Sequence, residues 1–136
     1  MRGLKGEQVL MRVHIGERDR YDGKPLYEQI VHLLRERGYA GATVFRGVMG
    51  FGAGGHVASD RIELVSFDLP LVIECVDTQE QIEAILPEID AMMDAGLITI
   101  ERAKVILYRP PLGRDQQPTE RPDEHRIDLT GDWRHE

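Results

Sequence analysis

The densest chemical signal in the sequence is Gly47-Val48-Met49-Gly50-Phe51-Gly52-Ala53-Gly54-Gly55-His56, five glycines in ten residues. Without Cβ atoms, successive backbone N–H groups can converge on an anion, and the flanking Arg46, His56 and Arg61 add positive or titratable groups. The run is not a P-loop, because no Gly-Lys-Ser/Thr follows it. Nor is it a dinucleotide fingerprint, because no helix opens after the glycines. The competing reading is a hairpin whose glycines serve geometry alone. Glu17, in the charged stretch Glu17-Arg18-Asp19-Arg20, stands at a strand end from which it can approach a ligand. Arg102, Lys104 and Arg109, near the last strand, are further sources of phosphate-binding charge, and a solvated surface suits them equally well. His14, His32, His56, His125 and His135 lack the paired spacing of a metal site, so none is assigned to a metal. Cys75, the single cysteine, reads as a small buried hydrophobe and excludes an internal disulfide or a multi-cysteine centre.

The elements that must position these residues follow from periodicity. Residues 7–15 alternate, with Val9, Met11, Val13 and Ile15 on one face and Leu10, Arg12 and His14 on the other, which predicts a strand. Leu26, Ile30, Leu33 and Leu34 recur at helical spacing over 25–37, and Gly38 is the expected stop. Residues 42–48 return to a period of two and lead into the glycine-rich loop. A weaker strand is expected at 62–66 and a clear one at 71–77. Thr78 with Gln81 reads as a capping box opening a helix, with Ile82, Ile85, Leu86, Ile89 and Met93 on its apolar face. Pro87 predicts a kink or restart in that helix. Residues 97–108 form the last predicted strand. The order β-α-β-β-α-β implies an α+β, ferredoxin-like sandwich, a four-stranded antiparallel sheet with both helices on one face.

The packed domain is expected to span 1–109. Four of the seven prolines (Pro110, Pro111, Pro118, Pro122) fall in 110–136, among mixed charges and few apolar residues, which predicts an extended tail. Ile127, Leu129 and Trp133 are its exceptions and are suited to docking on a neighbouring surface. A net charge of -7 argues against a sequence-blind grip on nucleic acid. No apolar run reaches membrane-spanning length and the N-terminus lacks a signal-peptide core, so a cytoplasmic location is expected, with no direct membrane insertion. The helix-free sheet face is read as Leu10, Arg12, His14, Val72, Glu74, Val76, Lys104, Ile106 and Tyr108. Such a set is too apolar for a free surface and too charged for a monomer core, which implies a subunit interface.

Three stretches together, His14-Ile15-Gly16-Glu17, Gly23-Lys24-Pro25-Leu26-Tyr27-Glu28 and the run from Gly38-Tyr39-Ala40-Gly41 through Phe45-Arg46-Gly47-Val48-Met49-Gly50-Phe51-Gly52, resemble the domain-of-unknown-function 190 family. Leu69-Pro70-Leu71-Val72-Ile73-Glu74 and Gly96-Leu97-Ile98-Thr99-Ile100-Glu101 continue the match, which spans nearly all of 7–109. That family is similar in fold to PII signalling proteins, trimers of ferredoxin-like subunits that bind adenine nucleotides in clefts between subunits. PII proteins touch partner proteins through a long loop after the second strand. The resemblance implies a PII-like regulator, a homotrimer with an adenine nucleotide as candidate ligand and a protein partner, for which a membrane transporter or channel is a candidate. By position, Val48, Met49, Ala53, Gly54, Gly55, His56 and Arg61 belong to the partner loop. The expected ligand set is Arg46, Gly47, Gly50, Phe51 and Gly52, with Glu17, Arg102 and Arg109. PII proteins carry a Gly-Asp-Gly-Lys phosphate loop between the second helix and the last strand, where this chain has Ala95-Gly96-Leu97. Two other classes compete, a structural or interaction protein without a ligand and a small enzyme of acylphosphatase-like fold. The acylphosphatase reading needs a catalytic asparagine, and the chain contains no Asn. A copper-tolerance protein of similar fold is opposed by the lack of clustered His and Cys.

Overall fold

The structure, a computed structural model, describes residues 3–61 and 68–111. The expected strand at 62–66 and the residues Ile127, Leu129 and Trp133 lie outside them. Strand β1 (Gly6–Gly16) buries Val9, Met11, Val13 and Ile15 and turns Leu10, Arg12 and His14 to the other face, as the alternation requires. A charged turn and the two-residue strands β2 (Arg20–Tyr21) and β3 (Lys24–Pro25) lead into helix α1 (Leu26–Glu36). Leu26, Ile30 and Leu34 are its buried stripe. It ends in a Schellman arrangement: the Tyr39 N–H donates to the Leu34 carbonyl and the Gly38 N–H to that of Arg35. Gly38 takes φ +75°, which is why glycine sits there.

Strand β4 (Thr43–Arg46) precedes a hairpin in which β5 (Met49–Gly50) pairs with β6 (Ala58–Ser59). Strand β7 (Pro70–Asp77), helix α2 (Gln79–Met92) and strand β8 (Leu97–Val105) complete the order. The main sheet runs β4-β7-β1-β8, antiparallel throughout. This is the ferredoxin-like arrangement expected from the sequence. The core lies between this sheet and the helices, where Met11, Ile73, Ile30 and Ile89 are fully buried.

Five sequence expectations need correction. The glycine-rich segment does hold regular structure, because Gly50 pairs with Ala58 and Met49 with Ser59, and Ala58 and Ser59 are buried. Helix α2 runs through Pro87 without a restart. Pro87 and Glu83, whose carbonyl loses its partner to the missing N–H, are both exposed residues, so the missing bond does not leave a residue of the core unsatisfied. The capping box is half formed: the Thr78 Oγ1 accepts from the Gln81 N–H, but the Thr78 N–H donates to Asp77 Oδ1 at 2.8 Å. The buried Asp77 also accepts from the Ala40 N–H, tying the start of α2 to the turn after α1. Strand β8 stops at Val105, not at residue 108, because its partner β1 begins at the paired Gly6.

The fifth correction concerns the helix-free face. Leu10, Arg12, His14, Val72, Glu74 and Val76 share it, but Lys104 pairs with Glu7 on the other parity, and Ile106 and Tyr108 lie past the ladder. Leu97, Thr99 and Glu101 take their places, and Phe45 lies opposite Val72. The charges on this face pair within the chain. Arg12 Nε donates to Glu74 at 2.9 Å and Arg12 Nη1 to Glu101. The two carboxylates, Glu74 foremost, hold the guanidinium's pKa above its ordinary value.

Candidate functional site

One end of the sheet gathers the chemistry. There β1 ends at Gly16, β4 ends at Arg46, and β7 begins at Pro70, so three chain segments meet around a single proline ring. The Gly47 N–H donates to the Pro70 carbonyl at 2.7 Å, the Glu17 N–H to that of Leu69 at 2.8 Å, and the Asp60 N–H to that of Val48 at 3.0 Å. These bonds root the glycine-rich hairpin on the sheet. A Cβ at Gly47 would lie 2.7 Å from Pro70 Cγ, and one at Gly50 would lie 3.0 Å from the same atom. Glycine is required at both positions because the hairpin backbone rests on the proline ring. At Gly52 a Cβ would meet nothing within 4 Å, so the chain's own packing does not call for glycine there. Gly55, at φ +76°, makes the hairpin's tight turn.

Arg46 and Glu17 come together at this foot. Arg46 Nη2 lies 2.6 Å from Glu17 Oε1, and the guanidinium is mostly exposed while the carboxylate is three-quarters covered. Nearby acids are held by backbone amides: Asp19 Oδ2 accepts from the Gly16 N–H at 2.9 Å and Asp68 Oδ1 from the Arg18 N–H at 2.8 Å. Phe51 projects from the hairpin 75% exposed, with Val48, Met49 and Val57 also exposed, and His56 and Arg61 lie in solvent on the same excursion.

Arg102 and Arg109 are not part of this gathering. Arg102 pairs with Val9, whereas Arg46 shares the row of Leu71 and Ile15, six residues further along β1, or roughly 20 Å. Arg109 lies beyond the far end of β8. Within one chain, only Arg46, Gly47, Gly50, Phe51, Gly52 and Glu17 of the expected ligand set occupy the hairpin and its foot.

A second feature escaped sequence reading. At the same end of the sheet, on the β8 side, an open groove of about 320 Å³ is lined by Asp90, Met93, Asp94, Ala95, Gly96 and Ile98. Gly96 takes φ +137°, and a Cβ there would lie 2.6 Å from the His14 carbonyl oxygen. The polar walls of this connection are two aspartates. Asp90 and Asp94 sit four residues apart around the end of α2, a spacing that was readable once the helix was placed. Among the described residues no group of three His, Cys, Asp or Glu side chains converges on a metal position.

With this geometry the chain can be compared with known proteins. The model of the family described as "Uncharacterized ACR" (DUF190) matches residues 8–105. The chain belongs to the DUF190 family. A UPF0166 protein of Methanocaldococcus jannaschii is 37% identical over 92 residues, covering 67% of this chain and 84% of the relative. One of Aquifex aeolicus is 36% identical over 100 residues, covering 74% and 94%. Among solved structures, the fold is similar to CPII, a nitrogen regulatory PII-like protein from Thiomonas intermedia K12 bound to ADP, AMP and bicarbonate. The TM-score is 0.51 at 17% identity, over 76% of this chain and 92% of that one. CPII bound to ADP and bicarbonate matches with a TM-score of 0.50. A DUF190 chain with a PII-like, ferredoxin-like fold therefore carries the rooted hairpin and the acid-walled groove. Among the described residues no helix is long and apolar enough to cross a membrane.

Proposed function

We propose that this DUF190 protein is a PII-like regulator that binds a small anionic ligand at the foot of its glycine-rich hairpin and passes the bound state to a partner protein through the hairpin. The observation that carries the reading is the meeting of Arg46 with the Gly47 and Gly50 backbone on Pro70, where a guanidinium and close-packed main chain share one strand end. An adenine nucleotide is the ligand class favoured by the likeness of fold to CPII, which is itself bound to ADP, AMP and bicarbonate. The aspartate-walled groove at Gly96 favours a ligand with few phosphates, since each added phosphate brings charge toward Asp90 and Asp94. The exposed Val48, Met49 and Phe51 give the hairpin an apolar contact surface for a protein partner, with a membrane transporter or channel as one candidate.

The assembly in this reading is a homotrimer joined through the helix-free sheet face, with ligand clefts between subunits. Support comes from the apolar residues on that face, from Phe45 at one margin to Leu97 at the other, and from the neutralisation of Arg12 inside the chain, which removes an unpaired cation from a surface to be buried. A domain of about 1–109 with a dispensable tail over 110–136 fits the family match ending at residue 105.

The test is a thermal-shift and calorimetric screen of the full chain against AMP, ADP, ATP and bicarbonate, with mass measured by sedimentation. The reading expects AMP or ADP to raise the unfolding temperature of a trimer and ATP to do so less. A monomer that responds to none of these ligands would contradict it.

A further inference from the structure

Two residues that the sequence marks as ligand contacts hold each other. Glu17 is fixed through its backbone, its N–H bonded to the Leu69 carbonyl, while its carboxylate reaches across the start of β7 to Arg46. Arg46 is the last residue of β4, and the next residue, Gly47, is the root of the hairpin. The pair is therefore a strap from β1, across β7, to the hairpin. Asp19 and Asp68, the neighbouring acids, are occupied by the amides of Gly16 and Arg18, so the carboxylate on the guanidinium is that of Glu17.

We infer that Glu17 is a built-in competitor: it occupies the seat on Arg46 that an incoming carboxylate or phosphate monoester would take, and binding of that anion displaces it and releases the strap. The inference rests on the reading of the hairpin foot as the anion site. The chemistry is an exchange of partners on one guanidinium. Arg46 presents the same N–H donors to a carboxylate or to a phosphate, so an arriving anion can replace the Glu17 carboxylate without moving the backbone that carries either residue. The exchange is feasible because the pair is partly solvated, and such pairs contribute little by themselves. Glu17 thus sets a threshold for occupancy, and when it is displaced the bound anion takes over the hold on Arg46 and the hairpin root. Ligand binding and hairpin position are coupled through one side chain.

Glu17→Gln keeps the size and removes the charge. With AMP and inorganic phosphate as probes, titrated calorimetrically into the full-length protein at low ionic strength, the variant is expected to bind either probe about three- to tenfold more tightly than the parent, with the difference shrinking as salt is added. In the ligand-free variant the Gly47 and Asp60 amides should exchange with solvent faster than in the parent, because the strap has lost its charge and is weaker. Tighter binding in the variant, including binding seen only in the variant, supports the inference. If the parent binds and Glu17→Gln binds equally or more weakly, the competitor role is overturned while the anion site stands. If neither protein binds either probe, both the anion site and the competitor role are overturned.

Discussion

The hairpin foot and the groove at Gly96 lie at the same end of one sheet, yet glycine is needed in them on different grounds. At the foot, Gly47 and Gly50 have φ values open to any residue, and glycine is needed because Pro70 lies against their backbone. At the groove, Gly96 is required twice over, by its φ of +137° and by the His14 carbonyl oxygen where a Cβ would sit. The charges differ as sharply. The foot presents Arg46, and the groove presents Asp90 and Asp94. A glycine-rich or glycine-centred turn is therefore not in itself an anion site. What matters is the charge that stands at the rim of the turn, a guanidinium at the foot and two carboxylates at the groove.

Substitutions can break this comparison in graded steps. The largest effect is expected for Gly96→Ala, which adds left-handed strain to a backbone clash and should remove about 2–4 kcal/mol of stability in urea unfolding. Gly47→Ala should remove less, about 1–3 kcal/mol, since it adds a clash with the Pro70 ring but no left-handed backbone strain, and its effect should be greatest on protection of the hairpin amides. The double change Asp90→Asn with Asp94→Asn sharpens the electrostatic side: it should strengthen ATP binding relative to AMP a few-fold in competition titrations, with the gain lost at high salt. Gly52→Ala is expected to be the mildest for folding, within about 0.5 kcal/mol of the parent, because open space surrounds the position. Loss of nucleotide affinity in Gly52→Ala without loss of stability would show that a ligand, and not the fold, uses that glycine.

The elements were legible wherever one face was apolar and the other was not. β1 declared itself through Val9, Met11, Val13 and Ile15, and α1 through Leu26, Ile30 and Leu34, because burial imposes the period. β8 was legible as a strand but not as to its faces. Leu97-Ile98-Thr99-Ile100 is apolar on both parities, so only the pairing of Lys104 with Glu7 shows that Lys104 leaves the helix-free face. Pro87 does not restart the helix, because the cost of a missing N–H depends on whether the orphaned carbonyl is on an exposed residue, and a sequence does not say so. At the site, Arg46 and the glycines were visible as residue types, whereas their joint use of Pro70 depends on β4 and β7 pairing. The Glu17–Arg46 contact joins residues 29 positions apart and exists only through the strand order. Arg102 and Arg109 were grouped with Arg46 by charge alone, and the strand register separates them.

The central claim, that the anion seat is the hairpin foot and not the acidic groove, is tested most directly by amide hydrogen exchange of the full-length protein with and without saturating ADP. The account predicts slower exchange at residues 47–52 and at Asp60, little change at residues 90–96, and loss of the effect in Arg46→Gln. Slowing confined to residues 90–96, or equal slowing in Arg46→Gln, would contradict it.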